Sequence, residues 1–312
     1  MVRNVQLKRC LRVGSKYLRS SDYRFLINSS LGMYDNMPDE EYLKRKFRAC
    51  MGKELDLENP KTLNEKLQWL KLYDRKPEYT MMVDKVRVRE YIAQTIGEEY
   101  LIPLLGVWED PEDIDFDALP DQFVLKCNHN SGLGMCICKD KSKLDIPKVK
   151  RELKKGLKQD YYLTGREWPY KDVLRRIIGE KYMVDEFGAD LKDYKIMCFG
   201  GKAMCSFVCS DRHSGKGLHV TFFDRNWEIM PFERHYPANW KDIESPKQYE
   251  QMLELAENLA GQIPFVRVDF YEVDGKIYFG EMTFFPGSGL EEFTPDEWDY
   301  TLGSWIDLSQ IQ

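Results

Sequence analysis

Arg267, Asp269, Glu281 and Thr283 are the residues of this chain whose types and spacing best suit chemistry. They fall on the two arms of a hairpin, Phe265 to Val273 and Lys276 to Phe285, joined at Asp274-Gly275. Period-2 geometry puts Arg267 and Asp269 on one face, and Glu281 and Thr283 on one face. Two carboxylates and a hydroxyl facing one cleft suit Mg2+, which takes oxygen ligands and lets substrate phosphates complete its octahedron. A geometric condition applies. The two acids are symmetric about Gly275, so they oppose each other across an odd-length turn centred there. A strict two-residue Asp-Gly turn would set them on opposite faces. The competing reading is an exposed edge hairpin with solvated acids. The run Phe284-Phe285-Pro286-Gly287-Ser288-Gly289 follows, an apolar strand end and a Pro-Gly turn that suit a site rim, with Ser288 as a candidate substrate contact.

Two further clusters suit a nucleotide. Asn128 to Gly134 is a small polar loop between the strand-like runs Phe123–Cys127 and Met135–Cys138. Backbone N–H groups in such a loop, which includes Ser131, can form an anion nest, and the glycines Gly132 and Gly134 let it approach phosphates closely. Lys126, at the loop's root, would add a point charge. No Gly-Lys-Ser/Thr leads into a helix, so this is not a Walker A loop, and a plain surface hairpin competes. The second cluster is Glu180-Lys181-Tyr182-Met183 followed by Asp193-Tyr194-Lys195. An acid, backbone and apolar side chain at a strand end can hold an adenine, a second acid can take ribose hydroxyls, and a lysine two residues on can point at phosphate. The polar loop around Arg212 and His213 could bind an anionic sugar nucleotide. His129, His213, His219 and His235 are candidates for substrate contact or proton transfer, against structural or solvated roles.

The elements that must position these residues read as α+β. The first ~75 residues are helical in pattern. Thr62-Leu63-Asn64-Glu65 is a capping-box sequence, with Leu63, Leu67 and Leu70 at helical spacing. A second helix is expected from Tyr79 to Ile96, stopped by Gly97, then a short strand over Leu101 to Leu105. A charged helix follows near Pro147 to Gln159. Strands are expected over Lys181–Val184, Tyr194–Phe199, Ala203–Cys209 and Val220–Phe223, with a helix near Gln248–Ala260 before the final hairpin. The expected division is a helical region over 1–117, a small subdomain with the phosphate loop over 118–184, and a larger one with the metal site over 185–312.

The 312 residues are 43% hydrophobic and 31% charged, ordinary for a globular chain with a large core. The net charge of −6 gives no basic excess, so nucleic acid is not an expected partner. The local run Lys8, Arg9, Arg12, Lys16, Arg19 reads as a solvated helix face, or as a contact with an acidic membrane. No apolar run follows the start and none approaches a membrane span, so a cytoplasmic chain is expected. Its eight cysteines are expected to be reduced, and Cys136 and Cys138 read as buried strand thiols rather than a zinc site.

In sequence order these pieces resemble the ATP-grasp ligases, such as D-alanine–D-alanine ligase and the RimK-type amino-acid ligases. Asp84-Lys85 resembles a helix-borne pair whose lysine meets ATP, and Lys126 the second nucleotide lysine. Glu180-Lys181-x-Met183 is similar to the adenine hinge, and Asp193 falls where a ribose acid is expected. Arg267, Asp269 and Glu281 match the arginine and the first two metal carboxylates; Thr283 stands where asparagine is usual, which puts a second metal position in doubt. The stretch from Asn59 to Leu70, Lys126-Cys-Asn-His, Asp193-Tyr-Lys-Ile-Met-Cys-Phe and Arg267-Val-Asp-Phe-Tyr resemble the TupA-like branch, from about residue 40 to the C-terminus.

The resemblance implies two α/β subdomains clasping ATP with one or two Mg2+ ions, Mn2+ being an alternative. It also implies an acyl phosphate stabilised by Arg267 or Lys195, and an amide formed by an amine. The branch's association with polysaccharide gene clusters implies a uronic acid of a cell-surface glycan, or a sugar nucleotide, as the carboxylate. A small amine or amino acid would be its partner, and the inner face of the membrane a second expected location. A glycosyltransferase, a kinase acting on a sugar hydroxyl and a non-catalytic nucleotide-binding module are the rivals. Asp115-Phe116-Asp117 lies in an acidic loop, the wrong setting for a nucleotide-sugar Asp-x-Asp.

Overall fold

The computed structural model describes residues 17–184, 193–210, 217–241 and 243–311. Two antiparallel sheets organise them. The smaller has strand order β1-β4-β2-β3, with β1 Leu104–Trp108, β2 Phe123–Cys127, β3 Met135–Cys138 and β4 Ile177–Lys181. The larger has order β10-β9-β5-β6-β7, with β5 Asp193–Phe199, β6 Lys202–Ser210, β7 His219–Asp224, β9 Phe265–Val273 and β10 Lys276–Thr283. A two-stranded ribbon, β8 Glu233–Arg234 with β11 Phe293–Thr294, completes the β structure among the described residues.

Each sheet has one face sealed by a helix and one left for the site. On the small sheet Phe123, Leu125, Cys138 and Ile177 pack on Val149 and Leu153 of the amphipathic helix Ile146–Lys158. Strand alternation sends Val124, Lys126, Glu180, Met135 and Ile137 to the other face, because they pair directly with one another. Met135 and Ile137 are 49% and 52% exposed there, an apolar surface without protein cover. On the large sheet the helix Tyr249–Ala260 seals one face, and Tyr249 meets Ser206 through a 2.8 Å hydroxyl contact. Lys195, Asp269 and Glu281 share the opposite face.

The helix Leu63–Tyr73 forms as its sequence requires. Thr62 Oγ1 accepts from Glu65 N at 3.1 Å, and Glu65 accepts from Thr62 N at 3.0 Å. It docks on the helix Glu297–Ser304, where Asn64 Nδ2 donates to Asp299 at 2.9 Å. Leu63, Leu67, Leu70, Tyr79, Val83 and Ile92 share one hydrophobic cluster with the large sheet.

Three local expectations are corrected. The expected Tyr79–Ile96 helix is two short helices, Pro77–Val83 and Val88–Thr95. The chain breaks at Asp84, whose carboxylate accepts from Val86 N at 2.9 Å and so competes with helical bonding. Asp84 and Lys85 are therefore in a break, not borne on a helix. The strand near Leu101 starts later, at Leu104. The strand placed at Lys181–Val184 is instead Ile177–Lys181, drawn forward by its pairing between β1 and β2. No helix among the described residues is long and apolar enough to cross a membrane.

Candidate active site

The turn at Asp274-Gly275 is the strict two-residue kind, with φ of 52° and 74°. Such a turn alone would have separated the acids. A β-bulge corrects the register: Phe279 pairs with Phe270, but Glu281, not Gly280, pairs with Asp269. The extra residue is tightly placed: a Cβ on Gly280 would lie 3.1 Å from the Asp269 carbonyl and 3.4 Å from its Cβ. Thr283 then falls opposite Arg267, and Lys195 of β5 opposite Asp269.

These side chains form one ion cluster. Arg267 donates to both Asp269 oxygens at 2.6 and 2.7 Å and to Glu281 at 2.9 Å. Lys195 contacts Asp269 directly and lies 2.5 Å from Asp193. Thr283 donates to Glu281 at 3.2 Å. Burial works against the Glu281 carboxylate, but Lys85, Arg267 and Lys195 outweigh it and hold its pKa down to about 2. Burial raises the Asp193 carboxyl, against the pull of Lys195. The charges of Asp269 and Glu281 overcome desolvation and raise the Arg267 guanidinium.

Facing this cluster, the small sheet and the segment from Lys85 to Arg89 beside it present their own charges. Lys126 reaches Glu180 at 2.6 Å and Arg89 lies 3.6 Å from the same carboxylate. Lys85 donates to the Asn130 carbonyl at 2.9 Å and stands 4.0 Å from Glu281, which links the two walls. Burial lowers the Lys85 ammonium, with Glu281 opposing. Lys85, Arg89, Lys126, Glu180, Gly280 and Glu281 line one cavity.

The loop Asn128–Gly134 is anchored for half its length. Asn128, His129 and Asn130 are buried, and Asn128 Nδ2 donates to Asp84 at 2.7 Å and to the Leu174 carbonyl at 2.9 Å. Asn128 Oδ1 accepts from Arg176 N at 2.7 Å. His129 is tied to the Gln159 carbonyl at 3.1 Å, a structural contact. Ser131 and Gly132 form the exposed tip. Gly134 has φ 71° and is packed, since a Cβ there would sit 2.7 Å from Cys127 Sγ and 2.8 Å from Gly156 Cα.

The structure thus brings together Lys85, Lys126, Glu180, Lys195, Asp193, Arg267, Asp269, Glu281 and Thr283. It does not bring Lys181 to them: alternation turns that side chain to the other face of β4, where it lines a separate groove with Lys139. Met183 is half-buried, just past β4. Arg212 and His213 lie outside the described residues. Ser288 sits beyond β10 in a buried contact with Lys71, whose Nζ reaches its hydroxyl at 3.0 Å. Sequence reasoning missed Arg89, although it stands only four residues after Lys85, and it missed the Asp84–Asn128–Arg176 network, which joins three distant segments.

Lys126 of one sheet, with Lys85 and Arg89 beside it, closing on a second sheet of opposed carboxylates defines an α+β nucleotide clasp, the ATP-grasp fold. A family model described as TupA-like ATPgrasp matches residues 65–307, and the chain belongs to that family. No curated protein matches it. Among solved structures it is similar to D-alanine–D-alanine ligase from Bacillus anthracis complexed with ATP, at 16% identity over 65% of this chain and 55% of that one, with a TM-score of 0.40. The Helicobacter pylori D-alanine–D-alanine ligase is 14% identical over 72% of this chain and 63% of that one, with a TM-score of 0.39. The ADP complex of N5-carboxyaminoimidazole ribonucleotide synthetase is 14% identical over 76% and 56%, with a TM-score of 0.39. The chain spans less than two thirds of the length of each of these structures.

Proposed function

We propose that the chain is an ATP-dependent carboxylate–amine ligase that activates its carboxylate as an acyl phosphate. The single observation that supports this most is the bulge at Gly280, which sets Glu281 against Asp269 beside Arg267 and opposite Lys85 and Lys126. An edge hairpin with solvated acids would need no such register correction.

The donor set fits Mg2+. Asp269, Glu281 and Thr283 offer only oxygen, and no third acid, histidine or cysteine joins them among the described residues. That suits an ion which keeps one or two carboxylates and takes the rest of its shell from phosphates and water. Bound there, magnesium would neutralise charge on the β and γ phosphates. Lys126 on the small sheet, with Lys85 and Arg89 beside it, would bind the phosphates once nucleotide oxygens replace Glu180 as the partner of Lys126 and Arg89. The exposed apolar face around Met135 and Ile137 would cover the base, with Asp193 available to the ribose. Arg267, whose guanidinium is fixed between Asp269 and Glu281, would stabilise the transferring phosphoryl group and the acyl phosphate. The tip Ser131–Gly132 would close over the phosphates and exclude water.

The proposed carboxylate is a uronic acid of a cell-surface polysaccharide or its sugar-nucleotide precursor, and the amine an amino acid or amino alcohol; the TupA-like resemblance supports this class. The test incubates the full chain with Mg-ATP, glucuronic acid or UDP-glucuronate, and a panel of amines. Equal release of ADP and free phosphate, with an amide mass in the product, is the expected result. Phosphate retained on the sugar would instead mean a kinase, and transfer of the sugar itself a glycosyltransferase.

A further inference from the structure

The face of the large sheet that carries the ion cluster continues past it. One row of paired residues crosses the sheet there: Glu281 opposite Asp269, Asp269 opposite Lys195, Lys195 opposite Phe207, and Phe207 opposite Phe222. Directly paired residues share a face, so the two phenylalanines extend the floor on which the acids stand. Arg234 of the ribbon strand β8 lies on this floor, its guanidinium carbon 4.9 Å from the Phe207 ring centroid and 5.3 Å from that of Phe222. The Arg267 guanidinium stands 5.7 Å from the same Phe207 ring. One ring is thus shared by the arginine of the ion cluster and by a second arginine that the mechanism above does not use.

Arg234 is set apart by its unmet donors. Three arginines are buried among the described residues. Arg166 donates to the Tyr34 and Asp35 carbonyls, and Arg267 to Asp269 and Glu281. Arg234, 7% exposed, makes no side-chain hydrogen bond to any described residue, although a guanidinium carries five N–H donors. Its Nε lies 3.0 Å from Glu291 Oε2 but out of line with it, so both atoms stay unsatisfied. Leaving such donors buried and unmet costs about 1–3 kcal/mol, which a ligand with matching acceptors would recover. Backbone pairing of Arg234 with Phe293 and a bridge to Tyr236 fix the direction of the side chain. The face is open at both ends of the row, since Glu281 and Glu291 keep 37% and 21% of their side chains exposed.

We propose that Arg234 recognises the amine substrate by its carboxylate, so that the amine is an amino acid rather than an amino alcohol. This rests on the ligase reading. The planar fork of one guanidinium matches one carboxylate in a bidentate pair. A diphosphate calls for more positive charge than Arg234 carries, and the described groups against it are two phenyl rings and an acid, Glu291. An amino acid anchored at Arg234 has its nitrogen one carbon away from the anchor. Across Phe207 stands Arg267, the group assigned to the acyl phosphate, so the amine faces along the row towards the activated carbon. Phe207 offers that amine no hydrogen-bonding group that would hold it back. Glu291 is a positioning residue, set beside Nε so that the far end of the guanidinium is left for the ligand.

Matched amines test this. Glycine is paired with glycinamide and L-alanine with L-alaninamide, and ethanolamine stands for the amino alcohols. Wild type, Arg234→Gln and Arg234→Lys are each incubated as the full chain with Mg-ATP, glucuronic acid or UDP-glucuronate, and one amine. Hydroxylamine, which captures an acyl phosphate unaided, reads the step before the amine. Wild type is expected to join the amino acids about 10- to 100-fold more efficiently than their amides, the worth of one charge-assisted pair. Arg234→Gln is expected to lose that preference through a raised KM for the amino acid, with hydroxamate formation and the KM for the uronate as in wild type. Arg234→Lys, which keeps the charge but not the fork, is expected to fall between the two and serves where the glutamine variant does not fold. A wild type that joins amides or ethanolamine as readily as amino acids overturns the assignment, as does one that makes hydroxamate but joins none of the amines. So does a glutamine variant that keeps the preference. A variant whose hydroxamate falls with a raised KM for the uronate puts the anion on the acceptor instead and overturns it too. A wild type that makes no hydroxamate overturns the ligase reading and this assignment with it.

Discussion

Asp269→Asn removes one charge from the centre of the ion cluster while keeping its shape. The native side chain is 1% exposed and faces Arg267 at 2.6 and 2.7 Å as well as Lys195. Stripping one partner from a buried ion pair costs about 3–5 kcal/mol when the other charge is left alone. Neither cation is left alone here, because Arg267 keeps Glu281 at 2.9 Å and Lys195 keeps Asp193 at 2.5 Å. The expected cost is therefore lower, about 2–3 kcal/mol by the same reasoning. For a chain of this size that is a fall in Tm of roughly 3–5 °C in metal-free buffer. The same substitution removes half of the carboxylate charge available to magnesium, so carboxylate-dependent ADP formation should drop by roughly 100-fold or more. Thermal melts in EDTA, repeated with Mg2+ and ADP, read the first effect, and coupled ADP release reads the second. Ligand should raise the wild-type Tm by more than that of the variant. A variant that melts and turns over like wild type would show that Asp269 is neither the hub of the cluster nor a ligand.

Asn128→Leu removes three side-chain hydrogen bonds, to Asp84, the Leu174 carbonyl and Arg176 N, and should cost about 3 kcal/mol by urea denaturation; a change under about 1 kcal/mol would remove this network from the account. Gly134→Ala should melt well below Gly132→Ala, because both take positive φ, 71° and 83°, but only Gly134 has neighbours within contact of an added Cβ; equal melting temperatures would contradict the packing. Glu281 titrates at about 2 in the fold against an ordinary 4.5, so its contribution is complete above about pH 4.5 and is lost as pH falls towards 2. Metal-free Glu281→Gln should accordingly show a shallower loss of Tm over that acid window than wild type, and parallel curves would refute the shift.

Local chemistry decided much of what could be read from the chain alone. The Thr62–Glu65 capping box, the Asp274-Gly275 turn and the 3.6-residue spacing of Leu63, Leu67 and Leu70 act within a few residues, so each announces its element wherever the chain lies. The residue types of the site were equally legible: acids and an arginine alternating on a hairpin, a lysine interrupting an apolar strand. Long-range contact decided the rest. Whether Glu281 met Asp269 depended on one bulge, which pairing across β9 selects and no local signal at Gly280 declares. That Glu180 turns to Lys126 while Lys181 turns away was set by where β4 begins, and β4 begins where it can pair with β1 and β2. Asp84 ends its helix through a local bond from Val86 N, but the partners that hold its carboxylate, Asn128 and Arg176, lie 44 and 92 residues away. Lys71 and Ser288 lie 217 residues apart in the chain, and only close packing, which leaves a buried charge no partner but its spatial neighbours, brought them together.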